Sequence, residues 1–242
     1  MLRTATCAAV LAVATLLMPP AGAQTVPSIQ IVSPRNSATV SGSQMVVEVR
    51  ARSFILNPMA MGKSPRPGEG HWQVSVDGNF AGYSADEVVS LPNDAYPQLS
   101  AGKHTIKVEL RNNDHTPVAG AEASEITVTI PTKSAMRYAP ALGQPGVKIL
   151  VPHNHTSVSA YLIVWVKVKG FRENPEAVGT GAKAGEGNWH LYVDGKLAAV
   201  SASSVADVRL ARGKHTLLAT LNNNDHTPVK GAAHHQVTVT VQ

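Results

Sequence analysis

Imidazoles are the groups in this chain best suited to hold a ligand or move a proton. The sequence carries 10 His in 242 residues. A first set holds His71 and His115 with a carboxylate, Glu69, and two thioethers, Met59 and Met61. A second set further along the chain holds His190, His226, His234 and His235 with Glu186. Neutral imidazole suits copper, zinc and nickel, and thioether sulfur suits Cu(I). A carboxylate near the imidazoles completes a common ligand set. These ten residues are therefore candidate ligands for copper or zinc, in two groups. Two features count against a metal. No spacing such as His-x3–5-His or His-Glu-x-x-His occurs. The groups also differ position by position: His71 and Gln73 in one stand where the other has Asn188 and His190.

Other chemistry is thinner. The chain has no nucleophile elbow, phosphate loop or dinucleotide fingerprint. Glu69 and Glu186 each sit between glycines, and one carboxylate per repeat makes no acid–base pair. Asp77 and Asp194, each followed by glycine, read as turn residues. The chain is expected not to be an enzyme. Its net charge of +5 is spread without a Lys/Arg run longer than two, whereas nucleic-acid binding needs a denser stripe. Trp165 shares strand parity with Lys167 and Lys169. A tryptophan beside cations offers a stacking face for a sugar, a contact for a protein partner, or a cover for a domain interface. The partner classes this implies are an envelope protein or a polysaccharide.

The elements that carry these residues come in two copies. Gly68-Glu69-Gly70-His71-Trp72 returns 117 positions on as Gly185-Glu186-Gly187-Asn188-Trp189. Asn112-Asn113-Asp114-His115-Thr116-Pro117 returns 111 positions on as Asn223-Asn224-Asp225-His226-Thr227-Pro228. Long matches in the same order mark an internal duplication. Within each copy apolar and polar residues alternate, as in Trp72, Val74 and Val76, or Ile106, Val108 and Leu110. That period marks half-buried strands, and no stretch shows a helical one. The fold class is all-β: two tandem sandwich domains over residues 24–131 and 147–242, joined by a linker over 132–146 that is rich in Pro and Gly.

Residues 1–23 read as a secretory signal peptide. Arg3 precedes an apolar run from Ala8 to Met18, and Ala21-Gly22-Ala23 is a small-x-small cleavage site. The run is too short to span a membrane. The one cysteine, Cys7, lies inside the expected signal peptide, so the exported chain is expected to lack thiol catalysis, zinc–thiolate sites and disulfides.

The order of elements suits an immunoglobulin-like sandwich. The third strand of each copy carries a core Trp. Then follow Leu99-x-x-Gly102-x-His104-Thr105 and Leu210-x-x-Gly213-x-His215-Thr216, where fibronectin-type domains place the tyrosine corner. His104 and His215 share parity with Ile106 and Leu217, so they point inward and read as corner residues bonded to a backbone carbonyl. On these residues the repeats resemble bacterial secreted immunoglobulin-like domains of fibronectin type. They are also similar to a periplasmic family marked by Gly-x-His-Thr-Leu and Asp-His-x-Pro motifs. The resemblance implies a sandwich fold and specifies no activity. The expected role is an exported, non-enzymatic binding or scaffolding protein of the cell envelope. The alternatives are a periplasmic metal binder and a carbohydrate-binding module.

Overall fold

A computed structural model describes residues 25–242 of the chain. The expected signal peptide and Cys7 lie outside them. The described part is two β-sandwiches in sequence. In the first, strands Ser28–Ser33, Met45–Arg52 and Val88–Leu91 form a three-stranded sheet in that order. The facing sheet runs Ala38–Thr39, Ser124–Ile130, Gly102–Asn112, Glu69–Val76 and Ile55–Leu56, with Asn79–Ser84 also hydrogen-bonded to Glu69–Val76. The second domain repeats both sheets. Gly146–Val151, Tyr161–Lys169 and Val205–Arg209 make the smaller one. Thr156–Val158, His235–Val241, Gly213–Asn223, Glu186–Val193 and Arg172–Glu173 make the larger, with Lys196–Ser201 at the side of Glu186–Val193.

Alternation builds the cores. Met45, Val47 and Val49 point inward at 2 % exposure or less and pack on Trp72, Val74 and Val76 of the opposite sheet. Each tryptophan also satisfies its indole N–H. Trp72 donates to the Asp86 carbonyl and Trp189 to the Ser203 carbonyl, both at 2.7 Å. The Asp-Gly pairs turn the hairpins, with φ of 50° and 79° at Asp77-Gly78 and 50° and 80° at Asp194-Gly195. Asp77 does a second job. Its Oδ2 holds Nδ1 of His104 at 2.8 Å, while His104 Nε2 meets the Ser100 carbonyl at 2.9 Å. His215 repeats this between Asp194 and Ala211.

The segment 132–146 is not a free connector. Met136–Arg137 pairs with Gln98–Leu99, and Met136 is fully buried in the first core. An apolar side chain with a strand edge beside it gains more from burial than from serving as linker.

The two domains share a third apolar cluster. Met61 and Ala85 of the first pack with Val178, Val200 and Ala202 of the second. The contact is self-matching: residues 117 positions apart, such as Met61 and Val178 or Ala85 and Ala202, lie in one cluster. The hydrogen bonds obey the same relation. The Glu87 N–H donates to Asp207 Oδ1 at 2.7 Å, and the Ser204 N–H donates to Ser90 Oγ at 3.1 Å. Glu87 and Ser204 correspond, as do Ser90 and Asp207. The domains therefore meet about a pseudo-two-fold axis, as two subunits do in an isologous dimer.

Candidate functional site

Each domain holds a pair of imidazoles beside this seam. The outer face of Glu69–Val76 carries His71, because Trp72 takes the core face and neighbouring side chains on a strand point opposite ways. The Asn-Asn-Asp-His turn carries His115 at φ 68°, a left-handed conformation. Asp114 Oδ1 shapes that turn by accepting from the Thr116 N–H at 3.1 Å. The result is a distance of 2.8 Å between His71 Nε2 and His115 Nδ1. The Tyr83 ring stacks on His115 at 4.5 Å and 14° and meets the His71 ring edge-on at 5.0 Å. In the second domain His190 Nε2 lies 3.3 Å from His226 Nδ1, and His190 Nδ1 lies 3.4 Å from the Tyr192 hydroxyl. This domain reaches a similar pair by another route. Position 188 is Asn, and the ring comes from His190, two residues along the same strand face.

Burial sets the charge state of these rings. His71 and His190 are 0 % and 2 % exposed, and burial pushes both down to about 3. Burial also lowers His115 and His226. All four are neutral near pH 7, so each pair shares one N–H···N contact. His71 Nδ1, His115 Nε2 and His226 Nε2 are buried without a hydrogen-bond partner. The Val178 carbonyl, from the other domain, favours protonation of His115 but stays outside hydrogen-bond geometry.

The other expected ligands do not converge on these rings. Glu69 accepts from Asn57 at 3.2 Å and Asn113 at 3.1 Å, and Asn113 and Asn57 hold its carboxyl below the usual range. Burial pushes Glu186 up, but Asn174, Asn224 and Lys183 outweigh it and keep it low. Both glutamates tie the loop before the Trp strand to the Asn-Asn-Asp-His turn. Met61 lies in the apolar cluster between domains, and Met59 is exposed. His235 registers with Ala219, whereas His190 registers with Thr220, the next residue of Gly213–Asn223. Successive strand residues face opposite sides, so the two rings lie on opposite faces of the sheet. His234 and His235 line a separate cavity with Lys148, Lys167 and Lys169. Among the described residues no three His, Cys, Asp or Glu side chains gather around one point. Trp165 is half-buried between Val151 and Val205, while Lys167 and Lys169 of the same face are exposed.

The seam itself was not visible to strand parity. Glu69–Val76 is buried on both faces over most of its length, as Ser75 at 7 % and His71 at 0 % show. A signal was present in Val88-Val89-Ser90-Leu91, an unalternating run that is wholly buried. Such runs mark strands covered on both sides.

The arrangement defines a pair of immunoglobulin-like sandwiches packed on one another. No family model and no curated protein matches the chain. Among solved structures it is similar to the fibronectin(III)-like modules of Clostridium thermocellum CbhA, at 12 % identity and a TM-score of 0.29. That match covers 88 % of this chain and 94 % of the other. It is also similar to the Bacteroides ovatus mixed-linkage glucan utilization locus protein SGBP-B, solved with a heptasaccharide, at 10 % identity and a TM-score of 0.25. Here 90 % of this chain and 47 % of the other are covered. The N-terminal domains of the bacteriophage RB49 outer capsid protein Hoc match at 12 % identity and a TM-score of 0.26, covering 90 % and 70 %. Among the described residues no helix is long and apolar enough to cross a membrane.

Proposed function

We propose that the chain is an exported, non-enzymatic binding or scaffolding protein of the cell envelope, whose two domains act as one rigid body. The supporting observation is the seam, which is matched in its apolar cluster and in its paired hydrogen bonds. Tandem domains move freely unless their interface is well packed. A fixed pair presents surfaces of both domains at one spacing, which suits a scaffold for an envelope protein or polysaccharide. Export rests on the sequence of residues 1–23. Small-angle scattering tests the rigid body. The chain should scatter as the compact pair, and a Gly62→Val, Gly179→Val variant should be more extended. A parent chain as extended as two freely jointed domains would end the scaffold reading.

A second reading rests on one distance. The 3.3 Å between His190 Nε2 and His226 Nδ1 matches the nitrogen–nitrogen edge of a tetrahedral site with bonds of about 2.0–2.1 Å. Two neutral imidazoles are ready to take a copper or zinc ion whose remaining ligands come from solvent. Titration with Cu(I), Cu(II), Zn(II) and Ni(II) against a competing chelator checks this. Binding should weaken below about pH 6 and vanish in His190→Ala. Affinity no tighter than about 0.1 mM removes the metal from consideration.

A further inference from the structure

On one side of the pseudo-two-fold axis the seam opens into a cleft of about 440 Å³. Phe54 and Leu56 of the first domain line it with the carboxyl-bearing Asp86 and Glu87, and Asp207 and Arg209 face them from the second. Arg209 is committed to Glu87 at 2.6 Å. Asp207 Oδ1 accepts from the Glu87 N–H, which leaves its other oxygen free of any hydrogen bond. Asp86 is the least satisfied of the three. It is 6 % exposed, and its Oδ2 is buried with no partner. Trp72 and Ser84 donate to its main-chain carbonyl, not to its carboxyl. A buried polar group without a partner is costly and calls for an explanation.

The opposite side of the axis supplies one. The residue corresponding to Leu56 is Glu173, which is 2 % exposed. There Tyr138, from the segment that joins the domains, donates its hydroxyl to Glu173 Oε2 at 3.2 Å. On this side the chain lays a hydrogen-bond donor on an apolar ring against one carboxyl oxygen, while Glu173 Oε1 stays buried without a partner and a cavity of about 450 Å³ lies alongside. The connecting segment runs on that side alone, and Asp86 Oδ2 in the other half has no donor from the chain. The open half carries three carboxyls against one guanidinium, so its complement is a cation and not a hydroxyl. A metal ion fits poorly, because no three of these groups gather around one point.

We infer that the open cleft binds an organic cation, a primary ammonium or guanidinium on an apolar stem, with Asp207 and Asp86 facing the charge and Phe54 and Leu56 the stem. A charge-assisted hydrogen bond is stronger than a neutral one. Burial pushes Asp86 well above the carboxylate range and Asp207 up to about 6, and an incoming cation would relieve both. This adds a ligand class to the binding role proposed above and is independent of the imidazole pairs. A negative titration would leave the scattering test of the rigid pair untouched.

Calorimetric titration of the intact chain with butylamine, benzamidine and butanol tests the inference. The two cations should bind and butanol should not. Asp207→Asn keeps an oxygen for the Glu87 N–H and should weaken the cations roughly tenfold or more. Asp86→Asn should act the same way, with thermal unfolding confirming that both variants fold. N-acetyl-lysine amide in place of butylamine asks whether the cation can arrive on a protein side chain, and tighter binding than butylamine would assign it to a peptide partner. Three results overturn the inference: no binding of either cation up to about 10 mM, butanol binding as well as butylamine, or both aspartate variants binding like the parent.

Discussion

Gly62 and Gly179 meet main chain to main chain across the two domains, so closely that a Cβ on Gly62 would lie 2.7 Å from the Gly179 backbone. Their φ angles are +75° and +82°, where only glycine is free of strain. Each is anchored to its own domain by an N–H donated to a turn carbonyl, Gly62 to Asn113 and Gly179 to Asn224, both at 2.7 Å. Neither loop can retreat without losing that bond. Gly62→Val should therefore open the seam and leave each core intact. We expect a loss of about 1–3 kcal/mol and a split of one denaturant transition into two. A single transition at an unchanged midpoint would show that the contact carries no strain.

The buried imidazoles should leave a mark on acid stability. His71 is pushed down to about 3 in the fold, against an ordinary value near 6.5. The folded state thus binds fewer protons in that window. Its contribution is complete above about pH 6.5 and is lost as pH falls toward 3. His71→Asn places there the residue found at the matching position 188. It should be less stable at pH 7, where His115 loses its partner, and its stability should fall less steeply between pH 6.5 and 3. Urea midpoints of parent and variant across that range check this, and parallel curves would contradict it.

Glu173 acts with the opposite sign. Burial, with Asp94 nearby, pushes it up to about 8. A carboxyl raised in the fold favours folding at low pH. That contribution is lost as pH rises from about 4.5, the unfolded value, to about 8. Glu173→Gln keeps an oxygen for the Tyr138 hydroxyl and cannot ionise. The variant should match the parent near pH 4 and exceed it in stability at pH 9. Thermal unfolding at the two pH values decides, and a variant equally or less stable at pH 9 would mean that Glu173 ionises at no cost.

The sandwich was legible because its cores follow a period of two. Trp72, Val74 and Val76 announce an inward face, and Asp77-Gly78 announces the turn that ends it. His104 and His215 were readable as corners by parity with Ile106 and Leu217, though their carboxylate partners, Asp77 and Asp194, were read as turn residues alone. The imidazole sets were legible in part. His71 with His115 and His190 with His226 come together, while Met61, Glu69 and Glu186 answer other demands. Met61 looked like a soft ligand because nothing local says that a loop methionine will be covered by another domain. Contacts between domains join residues more than a hundred positions apart, and alternation within a strand holds no record of them. The repeat spacing held the one trace. It made the domains alike, and like surfaces can match themselves.

That self-matching has a consequence for behaviour in concentrated solution. The strands Val88–Leu91 and Val205–Arg209 end their sheets beside each other, joined through the oxygens of Ser90 and Asp207 and not through a backbone ladder. Each is an edge that the other keeps from recruiting foreign strands. If a chain opens at the seam, its first domain meets an equally good partner in the second domain of another opened chain. A higher concentration of opened chains would then favour exchanged dimers that use the same contacts.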